Sequence, residues 1–133
     1  MGFVLDASVS ACWAFDDEQH TTADAALQRS EVDEICVPSL WWFELRSLLI
    51  MAGRQKRLKI ARTTAFLRTI QRLKLSIDPA PEGEDVLRLA RGHGLTVYDS
   101  GYLELAVRKG LPPATLDRSL AMAAESEGVA LVC

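Results

Sequence analysis

The chain has 133 residues, 49% hydrophobic and 25% charged, which fits one globular domain large enough to bury a real core. No apolar run approaches the roughly 20 residues of a membrane span, and the start of the chain reads as a strand without a basic leader, so neither a membrane anchor nor a signal peptide is expected. A net charge of −3 argues against a polyanionic partner unless the basic residues are clustered, and Cys12, Cys36 and Cys133, an odd set without metal-type spacing, read as structural thiols of a reducing cytoplasm.

In chain order, residues 2–5 form a short apolar run that stops at Asp6, the pattern of a strand buried on both faces of a parallel sheet. Ser8 is positioned to cap a helix carrying Val9, Cys12, Trp13 and Phe15, and Asp16-Asp17-Glu18 closes that element as a surface cluster. A second helix runs from Thr21 or Thr22 to about Ser30, followed by a strand at 35–37. Ser39 is a plausible N-cap for a helix over about 40–52 that is apolar almost all round, and so must be buried or covered by a partner. Its one polar stripe is Glu44 with Ser47. A single Glu on an apolar face is costly unless paired or metal-bound, and Arg46, two positions on, points away from it.

Gly53 ends that helix, and a second one from about 59 to 73 completes a helical hairpin over roughly 40–73. Between Leu45 and Ile77 there is no acidic residue, while nine of the 15 basic residues lie there. Such a segment can attract phosphate on an acidic protein. Strand 75–77, a break at Pro79 and Pro81, and a helix over 82–91 lead to the stop at Gly92-His93-Gly94. Thr96 and Asp99 then open a helix in the capping pattern, with Tyr98, Tyr102, Leu105 and Ala106 at helical spacing behind them. A fourth strand at 114–116 stops at Asp117, a helix covers 118–127, and a final strand is expected at 129–132. Short apolar strands alternating with helices imply a parallel sheet with helices on both faces, a three-layer α/β/α domain spanning residues 1–133.

Asp6, Glu44, Asp99 and Asp117 all sit in apolar settings. Asp6 and Asp117 fall at the carboxyl ends of strands, the edge where open α/β sheets hold ligands. Clustered carboxylates take up protons unless a cation intervenes. An oxygen-only donor set favours Mg²⁺ or Mn²⁺ over zinc, and such an ion can activate water against a phosphodiester. Ser8 and Thr115, each two residues from an acid, can orient the carboxylates or a water; their simpler roles are a helix cap and a strand residue. No phosphate-binding glycine loop, dinucleotide fingerprint or serine nucleophile elbow occurs, and His20 and His93 stand isolated. A phosphoaspartyl regulator would also use strand-end acids, but needs a second acid close after the first, where this chain has Ala7-Ser8.

Together LDASV at the start, FEL at Glu44, LTVYDSGYLELA around Asp99 and TLDRSLAMAA around Asp117 resemble the PIN-domain ribonucleases, and within them the short VapC-like toxins of toxin–antitoxin pairs. The resemblance runs from the first strand to the last. It implies a five-stranded parallel sheet, a carboxylate cluster binding Mg²⁺ or Mn²⁺, and cleavage of single-stranded stretches of RNA, often transfer or ribosomal RNA. The family's four acids fall on Asp6, Glu44, Asp99 and Asp117, and its hydroxyl residues on Ser8 and Thr115. Ser47 is a departure, since many members carry Asn there. The resemblance further implies a homodimer silenced by a cognate antitoxin. In that reading Arg54, Lys56, Arg57 and Lys59 guide RNA, and the apolar side of the hairpin holds the antitoxin or the second subunit. The chain is then a metal-dependent endoribonuclease of the cytoplasm; the alternative is a catalytically silent module that binds RNA or protein.

Overall fold

In the computed structural model, which describes residues 1–133, strand β1 (Gly2–Leu5) is wholly buried and lies inside the sheet. Helices α1 (Ala7–Cys12) and α2 (Thr21–Arg29) lead to β2 (Glu34–Pro38), and α3 (Leu40–Arg54) and α4 (Ile60–Ile70) lead to β3 (Leu75–Asp78). Then α5 (Gly83–His93) and α6 (Val97–Lys109) return the chain to β4 (Pro113–Ala114), and α7 (Arg118–Ser126) follows.

The strand order is β3-β2-β1-β4, every pair parallel. Phe3 pairs with Ile35 and Ile35 with Leu75, while on the other side Leu5 pairs with Ala114. Because crossovers are right-handed, the two steps from β1 to β3 put α1–α4 on one face, and the return to β4 puts α5 and α6 on the other. The helix contacts divide the same way: α1 packs on α2 and α3, and α6 on α5 and α7. The reversal of direction between β1 and β4 makes a topological switch point, and the crevice it opens lies at the carboxyl ends of those two strands.

The sheet has four strands rather than the expected five. Residues 129–132 make one ladder-like bond, Val132 N–H to Pro113 O at 3.0 Å. The strand beside them has two residues, and the one that faces them, Pro113, lacks the N–H a ladder needs.

The core gathers Phe3, Leu5, Ile35, Leu45, Leu49, Leu103 and Leu120 around helix α6, whose residues 100–106 are all buried. Glu104 inside that run is neutralised by Arg108, with bonds of 2.8 and 3.0 Å, and Arg108 also grips Asp78 at the end of β3 at 2.6 Å. Helix α3 buries only one side, through Trp41, Leu45, Leu49 and Ala52. Phe43 (71% exposed), Ile50, Met51 and Trp42 remain in solvent, so within this chain the helix is not covered all round.

Candidate active site

Where β1 ends, Asp6 has the extended backbone of an N-cap, and its Oδ1 accepts from Ser8 N–H at 3.4 Å. The cap is therefore Asp6 and not Ser8, which lies inside α1; the Ser8 hydroxyl instead accepts from Leu116 N–H at 3.4 Å. Beside it, past the end of β4, the Thr115 hydroxyl donates to Asp6 Oδ2 at 2.5 Å and accepts from Asp117 N–H at 3.0 Å. One hydroxyl thus ties the first acid to the last. Asp117 caps α7 by accepting from Leu120 N–H at 2.9 Å.

Asp99 enters from the other face. Thr96 caps α6, its Oγ1 accepting from Asp99 N–H at 3.1 Å, as the capping pattern predicted. Three of the acids thus sit at helix N-termini, where the partial positive charge of free N–H groups favours a carboxylate. Glu44 has no such help. It is half-buried on α3, and its Oε1 accepts from the Tyr102 hydroxyl at 2.6 Å, which also accepts from Ala7 N–H at 3.3 Å. Trp41 Nε1 donates to Ser10 Oγ at 3.1 Å and fixes α3 to α1, the helix that Asp6 caps. Gly101 lets α6 and α3 come together, since a Cβ there would lie 3.0 Å from Leu40 Cδ2.

Burial raises the Asp6 carboxyl above the ordinary range and the Asp117 charge adds to this, while Thr115 and Ser8 pull it down. Glu44 is raised by burial, against the pull of the Tyr102 hydroxyl, and further by the charges of Asp6 and Asp99. Asp99 is raised by burial and then by Asp117 and Asp6. The four acids therefore share one field, with Asp6 and Asp99 each coupled to the other three. No three of these acids offer atoms within 4.8 Å of one another. The donor set suits a hard divalent cation, being oxygen-only, partly buried and mutually repulsive.

Tyr102 is the site residue the sequence did not single out. Its spacing is that of a core residue, and only the hydroxyl, where Phe would serve packing, hinted at a polar partner. Ser47 is exposed and makes no side-chain hydrogen bond. Arg54, Lys56 and Lys59 are exposed and unpaired, whereas Arg57 is held by Glu18 at 2.6 Å and stacks 4.5 Å over the Phe15 ring. The acidic cluster at 16–18 therefore neutralises part of the basic segment, with Asp16 also pairing Arg62 at 2.8 Å. Neither histidine is isolated: His93 meets Glu127 at 2.7 Å, and His20 lies beside Cys12 and Glu18.

The model of the PIN domain matches residues 3–126. This chain belongs to the PIN domain family. It is 30% identical over 124 residues to Ribonuclease VapC3 of Pyrobaculum aerophilum, covering 91% of this chain and 93% of that one. The crystal structure of PAE2754, from the same organism, shares the PIN fold seen here with a TM-score of 0.74 at 24% identity, over 98% of this chain and 88% of that one. No helix is long and apolar enough to cross a membrane.

Proposed function

We propose that this PIN-domain protein is a metal-dependent endoribonuclease, the toxin of a toxin–antitoxin pair acting in the cytoplasm on transfer or ribosomal RNA. The observation that carries the reading is the convergence of Asp6, Glu44, Asp99 and Asp117 from four separate elements on the switch point of the sheet, coupled through space and held by Thr115 and Tyr102. The likeness to Ribonuclease VapC3 across nearly the whole chain supports it.

Asp6, Glu44 and Asp99 would hold one or two Mg²⁺ or Mn²⁺ ions, with Asp117 bound directly or through water. Bound there, the metal supplies Lewis-acid polarisation of the phosphate and a lowered pKa for water. The chain's own groups do the rest. A water oxygen forms the new bond to phosphorus, the bond to the leaving ribose oxygen breaks in line, and that oxygen takes up a proton. The four carboxylates would hold the ion and orient the attacking water in line with the bond that breaks. Thr115 and Tyr102 keep the Asp6 and Glu44 oxygens oriented, and Ser8 and Ser47 would be further hydroxyls able to orient the acids or a water. The exposed Arg54, Lys56 and Lys59 of the hairpin would supply phosphate contacts, with Arg57 a weaker contributor because Glu18 occupies it. The exposed Trp42, Phe43, Ile50 and Met51 give the antitoxin, or a second subunit, an apolar face to cover.

The test is cleavage of total cellular RNA by purified protein with Mg²⁺ or Mn²⁺, with EDTA, and with Asp99→Asn in parallel. Discrete fragments that need metal and vanish in the variant are expected. Absence of cleavage in any metal, from folded protein free of antitoxin, would instead make this a binding module.

A further inference from the structure

Away from the four acids, α1 ends at Cys12, and the turn that follows carries Glu18 and His20 back toward it. The Cys12 Sγ, a Glu18 oxygen and a His20 ring nitrogen lie within 4.8 Å of one another. They open on a cavity of about 300 Å³ whose polar lining also includes Ser8, Gln55 and Arg57, with Leu48 and Met51 among its apolar walls. The thiol is buried and the imidazole is exposed, so the cluster has an inner and an outer side. Arg57 holds Glu18 Oε1 at 2.6 Å, which fixes the carboxylate, and the Cys12 thiol hydrogen-bonds the same carboxylate.

We propose that Cys12, Glu18 and His20 form a second metal site, one for Zn²⁺ or a similarly soft divalent ion, distinct from the carboxylate centre. One thiolate, one imidazole and one carboxylate are the donors of a tetrahedral zinc site with its fourth position open, here toward the cavity. Mg²⁺ and Mn²⁺ prefer oxygen donors and do not select a thiolate, so the two sites divide the available ions by chemistry. Arg57 orients a ligating carboxylate, as supporting groups around bound metals do. Binding exchanges the Cys12 thiol proton for the ion, so the corner of the molecule beside Ser8 gains one net positive charge and one proton is released. The site does not depend on the proposed nuclease activity.

Co²⁺ absorption tests it, in reduced full-length protein carrying Cys36→Ser and Cys133→Ser so that Cys12 is the sole thiol. The expected result is one equivalent of Co²⁺ giving a near-ultraviolet thiolate-to-cobalt charge-transfer band, bleached by Zn²⁺ and untouched by a large excess of Mg²⁺. Metal held at the oxygen-only centre has no thiolate and gives no such band. Cys12→Ala should abolish the band. His20→Ala, at an exposed position that leaves the fold intact, should weaken Co²⁺ affinity by about 100-fold, the upper end of what loss of even a supporting group costs. No charge-transfer band from folded protein, a band that Zn²⁺ fails to displace, or one that His20→Ala leaves at full affinity would overturn the assignment.

Discussion

Tyr102→Phe removes one oxygen atom and nothing else, which makes it the sharpest probe of how the acids are held. The ring stays, so no cavity forms and the packing of α6 is preserved. Two hydrogen bonds go. The 2.6 Å bond to Glu44 is charge-assisted whenever Glu44 is ionised, and such bonds contribute about 1.5–3 kcal/mol. Glu44 is only half-buried, so water can replace part of this, and the lower end applies. The 3.3 Å bond from Ala7 N–H is long, but Ala7 is 2% exposed and its N–H belongs to the first turn of α1, where no intrahelical acceptor exists. Orphaning that donor costs about 1 kcal/mol. The variant should therefore lose about 2–3 kcal/mol, which for a domain of this size is a fall of roughly 10 °C in Tm. Equilibrium urea unfolding with an unchanged m-value measures the first and a thermal melt the second. Mn²⁺ affinity should fall by about 10–100-fold, as when an orienting partner of a ligating group is removed. A stability loss under about 0.5 kcal/mol, the range of an inconsequential surface change, would refute the account of Tyr102 as the clamp between α1, α3 and α6.

The raised carboxyls of Asp6, Glu44 and Asp99 make stability depend on pH with a definite sign. The folded state holds their protons more tightly than the unfolded chain does, so the metal-free protein should lose stability as pH rises from about 4 through the raised folded values. Mn²⁺ at about 100 times its Kd should add roughly 2.7 kcal/mol at neutral pH and little near pH 4, and an equal gain at both in thermal melts would contradict the carboxylate site. Thr115→Val removes the donor to Asp6 and the acceptor for Asp117 N–H, at a cost of about 1.5–3 kcal/mol that Thr115→Ser should largely restore, read by denaturant titration. In an Asp99→Asn background that cannot cleave, Arg54→Glu with Lys56→Glu should lower the salt dependence of single-stranded RNA binding by about 0.7 in log–log slope for each phosphate left without a basic partner. An unchanged slope would remove the basic face from the proposal.

What could be read from the sequence was what neighbours along the chain decide. Asp6 and Asp117 announce themselves by ending apolar runs, and Thr96 with Asp99 by a three-residue spacing that one turn of helix dictates. Strand order was not legible: right-handed crossovers fix which face each helix covers once the order is known, and the adjacency of β1 and β4 comes from the structure. The failures have the opposite character. The Tyr102 hydroxyl finds its acceptor 58 residues away, and His93 meets Glu127 across 34, distances over which no periodicity speaks. Ser8 reads as a cap because serine is a good one, but the backbone is already extended at Asp6, which reaches the same N–H groups first. The fifth strand fails where Pro113, the β4 residue facing 129–132, has no N–H to return, an effect that falls on its neighbour's pairing more than on its own segment.

The placement of β1 and β4 side by side also has a consequence in time. The Thr115–Asp6 contact joins residues 109 apart, so a ribosome adding about 5–20 residues per second makes the first acid roughly 5–20 s before its tether exists. Through that interval Asp6 lacks both Thr115 and Asp117, and for most of it Asp99 as well. A nascent or prematurely released chain that stops short of β4 lacks Thr115 and Asp117 and possesses no assembled centre. The topology thus delays the hazard of a phosphodiester-cleaving site until the chain that carries it is nearly made.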